Sequence, residues 1–204
     1  MPVPSLPLSL ALGLALLLPS LAGAATLSVT VNDAAGRPLS DAVVMLEPAS
    51  GRLPVKPMAA VEVGQSARQF TPAVTVVTVG TPVNFPNHDT VRHHVYSFSP
   101  AKTFELKLYA GVPATPVVFD KPGVAVLGCN IHDQMAAWIV VVDTPHFART
   151  GAGPAQLANL SPGTYRLKAW HPALPADLAP QATMVTVGAD DQAATLRLAT
   201  RVTP

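Results

Sequence analysis

Cys129 is the only cysteine in the chain, and His132 and Met135 follow it at intervals of three residues. A thiolate, an imidazole and a thioether converging on one point suit copper: soft sulfur favours Cu(I), and imidazole serves both oxidation states. A trigonal site of two histidines and one cysteine with a long, weak axial thioether completes that chemistry, and it needs a second histidine from elsewhere in the chain. The upstream segment offers His88, His93 and His94. A single cysteine excludes an internal disulfide, and a lone thiol is best protected by ligation. Taken alone Cys129 would read as a buried inert thiol; the spacing of His132 and Met135 favours a metal ligand.

Two strands must position this segment. Val124-Ala125-Val126-Leu127 leads in and Trp138-Ile139-Val140-Val141-Val142 leads out, so the three candidate ligands sit on a tight turn pinned at both ends. A metal geometry that changes little between oxidation states suits an electron carrier, and filling every coordination position with protein argues against an enzyme. Upstream, Val91 to Phe98 alternates as a strand in which Val91, His93 and Val95 share one face and Arg92, His94 and Tyr96 the other. His93 is then the inward candidate, flanked by aliphatic side chains. His94 reads as a surface or outer-sphere imidazole and His88 as a solvated loop residue. Ligation by either would change the spectrum and the potential of the site.

The rest of the chain supplies a β-rich frame. Hydrophobic residues make up 49% of it, charged residues only 12%, and there are 22 prolines. Val, Thr and Pro without long runs of helix formers give an all-β fold with many turns. A net charge of +1 gives no reason to propose nucleic acid as a partner. Residues 1–24 read as a secretory signal peptide: an apolar run from Leu6 to Leu21 precedes the small residues Ala22-Gly23-Ala24. Its removal implies a periplasmic or secreted protein with no stable membrane span.

Strands are expected over Thr26–Val31, Asp41–Leu46, Val74–Val79, Pro82–Phe85, Lys102–Tyr109 and Val117–Phe119, with Asp120 as a turn residue. Further strands are expected over Gln156–Leu160, Thr164–His171, Thr183–Val187 and Ala194–Leu198. Residues 51–57 carry Gly51, Pro54 and Pro57 and read as a linker.

Phe85-Pro86-Asn87, His93-His94-Val95, Phe119-Asp120-Lys121-Pro122-Gly123 and Cys129-Asn130-Ile131-His132-Asp133-Gln134-Met135 resemble the plastocyanin and amicyanin cupredoxins. More narrowly, they are similar to cupredoxin-like proteins labelled methylamine utilization proteins. The C-x₂-H-x₂-M spacing matches the short ligand loop of amicyanin. The resemblance implies a Greek-key β-sandwich over 58–143, one copper ion, and His93, Cys129 and His132 as equatorial ligands with Met135 axial. The residue after the first histidine ligand is commonly Asn in that family and is His94 here. The resemblance also implies that the ring edge of His132 is the electron port, reached through an apolar patch including Ala136 and Ala137. A dehydrogenase donor and a c-type cytochrome acceptor are the implied partners.

The flanks resemble a second family. The stretch from Val31 to Val44 and the pattern Leu160-Ser161-Pro162-Gly163-Thr164-Tyr165-Arg166-Leu167-Lys168-Ala169-Trp170-His171 resemble a carboxypeptidase regulatory-like, transthyretin-like β-sandwich. Residues 25–50 and 144–204 would complete one such sandwich, with the copper domain inserted into it. Such modules act in docking or carbohydrate binding. Tyr165, Trp170 and His171 are the candidate sugar platform, although as core or corner residues Tyr165 and Trp170 would need no ligand. Copper storage or delivery uses the same soft ligands and is the remaining alternative. A copper oxidase is disfavoured, because His88, His94, His146 and His171 form no His-x-His pair.

Overall fold

A computed structural model of the chain describes residues 24–175 and 178–200. The leader reading therefore falls outside the described residues, Ala24 apart. Among the described residues every regular element is a strand, and no helix is long and apolar enough to cross a membrane. The fold is all-β, built as packed sheets.

Among the described residues seventeen strands follow in chain order. They are β1 (Ala25–Asn32), β2 (Val43–Pro48), β3 (Val61–Glu62), β4 (Gly64–Ser66), β5 (Gln69–Thr71), β6 (Val74–Thr78), β7 (Thr81–Asn84), β8 (His93–Ser99) and β9 (Lys102–Tyr109). Then come β10 (Val117–Phe119), β11 (Gly123–Gly128), β12 (Ala136–Val142), β13 (His146–Arg149), β14 (Ala155–Leu160), β15 (Gly163–Trp170), β16 (Gln181–Val187) and β17 (Gln192–Arg197). The central strands form a five-stranded sheet in the order β6-β12-β11-β8-β9, a three-stranded sheet β10-β7-β3 and the hairpin β4-β5. The flanking strands form the sheets β13-β2-β15-β16 and β14-β1-β17.

Period-two patterning explains the outer strands. In β1, Ala25, Leu27, Val29 and Val31 are buried while the residues between them are half exposed, as one wet and one dry face require. Strand β12 is different, because both of its faces are covered. Val140 and Val142 join the apolar core of the flanking sheets, with Val74, Leu27, Leu46 and Leu167. Ala137, Ile139 and Val141 join a second core with Phe85, Phe119, Leu127, Cys129 and Met135. The unbroken apolar run of β12 therefore follows from burial on both sides. The five-stranded sheet is a common wall between the two cores.

Three local features depart from the sequence expectation. The segment 58–73, read without strands, contributes β3, β4 and β5. His146–Arg149 adds a further strand, paired with β2. The alternation of β8 is broken by a register shift between His93 and Val95. A bulge of this kind places neighbouring residues where strict alternation would not, and His93 and His94 are both buried.

Candidate metal centre

The Cys129–Met135 loop is closed at its base by antiparallel pairing of Gly128 with Ala136. Within it the Met135 backbone N–H donates to the His132 carbonyl at 2.9 Å. Strand β8 joins β11 through the pair Gly128↔Tyr96, which brings the start of β8 beside the loop. One ligand-capable atom from each of His93, Cys129 and His132 lies within 4.8 Å of the others. Cys129 Sγ is 4.0 Å from His93 Nδ1, and the two imidazole centroids are 5.0 Å apart, tilted by 60°.

Burial and orphaned donors test whether this cluster fits a metal. His93 and Cys129 are buried and His132 is half-buried. His132 Nδ1 is buried and has no hydrogen-bond partner, a state that costs free energy unless something else satisfies the nitrogen. One thiolate and two imidazoles facing a common point supply that partner if a single soft or borderline ion sits between them, and copper is the first-row ion this set suits best. Met135 is 1% exposed and lies in the same apolar core as Cys129. The fold thus brings three candidate ligands together and packs the fourth beside them.

Neither alternative histidine joins the cluster. His88 is exposed, with its ring edge 3.5 Å from the point where a Cβ on Gly64 would lie. Of the two places expected for His94, the surface is excluded, because the residue is 6% exposed. Its Nε2 lies 3.0 Å from Glu105 Oε1 but off the line of a hydrogen bond, and its ring sits 5.5 Å from Tyr96. Ala137 does not belong to a surface patch either; at 1% exposure it faces the inner core. The exposed apolar residue on the loop itself is Ile131.

The loop before β8 is more ordered than a solvated turn. Asn87 Nδ2 donates to the carbonyls of Val91 and Tyr109, each at 2.9 Å, and Asn87 Oδ1 accepts from the Asp89 N–H at 2.9 Å. Asp89 Oδ2 then accepts from His93 Nε2 at 2.7 Å. An ionised carboxylate can only accept, so Nε2 carries a proton, and the neutral ring then leaves Nδ1 free toward Cys129. Sequence reasoning missed Asp89. Its spacing of four residues before His93 was visible, but the loop gave no periodicity to orient it.

Asp89 is itself held by a strained turn. Ala67 N donates to Asp89 Oδ1 at 2.7 Å and Arg68 N to Oδ2 at 2.9 Å. Both donors have left-handed backbones, φ 51° and 58°, in the two-residue loop joining β4 and β5. Mirror-image hairpin turns demand φ > 0 at both central positions, and a side chain there costs about 1–2 kcal/mol per residue. The Arg68 N–H and then the His93 ring are the main influences holding the Asp89 carboxyl below the usual carboxylate range.

Behind the site, the Tyr109 hydroxyl donates to the Phe85 carbonyl at 2.6 Å and accepts from Gln65 Nε2. Burial pushes its pKa up to about 12, so it stays a neutral donor. Asp120 accepts from Lys102 Nζ at 3.0 Å on the surface. In the outer sheets Tyr165 and Trp170 are core residues, the Tyr165 hydroxyl donating to the Ser161 carbonyl at 2.8 Å.

No known protein-family profile and no curated protein matches the chain. Among solved structures it is similar to the Cu-containing nitrite reductase of Thermus scotoductus SA-01, with 27% identity and a TM-score of 0.39, over 47% of this chain and 25% of that one. It is also similar to a reduced Cu(I) form of an amicyanin mutant, with 18% identity and a TM-score of 0.38, over 48% and 98% of the two chains. A purple cupredoxin from Nitrosopumilus maritimus shares 22% identity over 42% and 100%, with a TM-score of 0.35. The chain thus spans about a quarter of the nitrite reductase it matches.

Proposed function

We propose that the chain is an exported, cupredoxin-like mononuclear copper protein that carries single electrons between redox proteins. The observation that carries the reading is the convergence of His93, Cys129 and His132 within 4.8 Å, with His132 Nδ1 buried and unpartnered. Copper bound there supplies a one-electron couple. His93 and His132 present imidazole nitrogens, Cys129 a thiolate and Met135 a weak thioether; the loop paired at Gly128 and Ala136 keeps them fixed as the charge changes. Burial of His93, Cys129 and Met135 excludes water from the inner side, while the half-buried His132 and exposed Ile131 form the outer edge. Electrons would pass through that edge.

The chain is further proposed to act in the periplasm or outside the cell after loss of residues 1–24. Residues 58–143 would be the copper-binding unit, inserted into a regulatory-like sandwich of 25–50 and 144–204 through the linker 51–57. The donor would be a dehydrogenase, as in methylamine oxidation, and the acceptor a c-type cytochrome. The resemblance to methylamine utilization proteins supports that pairing.

The test is a titration of the mature protein with Cu(II), followed by visible and electron paramagnetic resonance spectra. An intense red thiolate-to-copper band saturating at one copper per chain, and missing in Cys129→Ser, is the expected result. A colourless protein would overturn the reading.

A further inference from the structure

The His93 ring has two nitrogens with different company. Nδ1 faces Cys129, and Nε2 is bound to a carboxylate. Asp89 holds that place by four hydrogen bonds: its own N–H to Asn87 Oδ1, the N–H groups of Ala67 and Arg68 on its two carboxylate oxygens, and the His93 ring on Oδ2. None of these contacts involves an atom proposed to bind metal. The hairpin is joined to this loop by backbone hydrogen bonds of Gln65 with Pro86 and His88, and the two left-handed, non-glycine residues at its tip turn their amides onto the carboxylate.

Resting on the copper reading above, we propose that Asp89 is a positioning residue for His93: it fixes the Nε2–H tautomer, aims Nδ1 at the metal, and lowers the reduction potential of the centre. A carboxylate accepting from the far side of a ligating imidazole fixes the ring orientation and raises its basicity. The more basic ligand and the nearby negative charge both favour Cu(II) over Cu(I). The β4–β5 hairpin is the second layer of the device, since its two amides hold the carboxylate in place.

The experiment compares wild type with Asp89→Asn, alone and in an Ala67→Gly/Arg68→Gly background that frees the turn from its need of a carboxylate. Ring ¹⁵N spectra of His93 are recorded on metal-free and Cu(I)-loaded protein, and the potential is measured by voltammetry. Wild type should show a single Nε2–H tautomer. Asp89→Asn should keep the red band, mix tautomers in the metal-free protein, raise the potential and weaken metal affinity about 10- to 100-fold. The glycine background should leave those shifts in place.

An unchanged potential and tautomer in Asp89→Asn overturns the proposal. So does their return to wild-type values in the glycine background, which would make Asp89 a prop for the turn. If Asp89→Asn is too unstable to purify alone, the glycine-background variant gives the same readings. A wild-type chain that takes up no copper overturns the copper reading together with the potential, and the metal-free tautomer then decides the positioning role separately.

Discussion

Gly128 and Tyr96 are paired across β11 and β8, and the glycine lies directly under the tyrosine ring: a Cβ at position 128 would stand 2.7 Å from Tyr96 Cζ and 2.8 Å from its hydroxyl. Gly128 precedes Cys129, and Tyr96 lies three residues after His93. The seat of the Tyr96 ring on Gly128 therefore joins the two strands that carry His93 and Cys129. Gly128→Ala should cost about 1–3 kcal/mol through overpacking. In a Tyr96→Ala background the same change should cost less, a coupling of about 0.5–3 kcal/mol. Urea unfolding of the four proteins checks this, and strict additivity would refute it.

The two faces of β12 can be tested one at a time. Ile139 packs into the core that holds Cys129 and Met135, whereas Val140 packs into the core of the flanking sheets. Ile139→Ala should lose about 2–5 kcal/mol and Val140→Ala a smaller amount, in proportion to the volume removed. Each should lower one shared transition, read identically by tryptophan fluorescence and far-ultraviolet circular dichroism. Two separate transitions would contradict a common wall.

Thr150 closes the loop between β1 and β2. Its Oγ1 accepts from the Ala42 N–H at 2.9 Å and donates to the Leu39 carbonyl at 2.6 Å, and the residue is 2% exposed. Thr150→Val keeps the shape but strands a buried donor and acceptor, at about 1–3 kcal/mol. Thr150→Ser should restore most of that loss. Thermal denaturation of both variants measures it.

Two histidines give the stability a pH dependence. Burial pushes His171 and His146 below the ordinary imidazole value. His171 accepts from the Ala173 N–H at 3.0 Å through Nδ1, and its Nε2 lies 3.0 Å from the Ser40 carbonyl, so the neutral ring satisfies both neighbours. Above the unfolded value of about 6.5 both states are neutral and the fold keeps its full stability. Below it the unfolded chain takes up protons first; stability falls with pH and levels off beneath the folded-state value. Urea midpoints from pH 8 to pH 5 should decline, and His171→Gln should flatten that slope.

Local pattern carried a large part of the architecture. Alternation in Thr26–Val31 and Thr164–Trp170 marked strands that bury one face, and the Cys129, His132, Met135 spacing marked the loop that the fold closes at Gly128 and Ala136. Period alone left His94 between the surface and the outer sphere of the site, because the shift between His93 and Val95 that accompanies its burial is a property of pairing with β9 and not of the strand itself. Ala137 was misplaced for a different reason: the strand alternates at its start, so Ala136 is exposed while Ala137 turns into the inner core. Asp89 was invisible because its role depends on Ala67 and Arg68, which lie 22 and 21 residues away on a hairpin with no apolar period to announce it.

The shared wall also decides how this molecule can be cut. A fragment ending at residues 58 and 143 would carry Val74, Val76, Val140 and Val142 without the leucines and valines of the flanking sheets that now cover them. It would offer water an apolar sheet face, the kind of surface that drives self-association. The flanking strands, expressed as a graft without that insert, would lose the floor on which Leu27, Leu46 and Leu167 rest. A shortened version of this protein needs polar residues at those four valines if that face is to meet water.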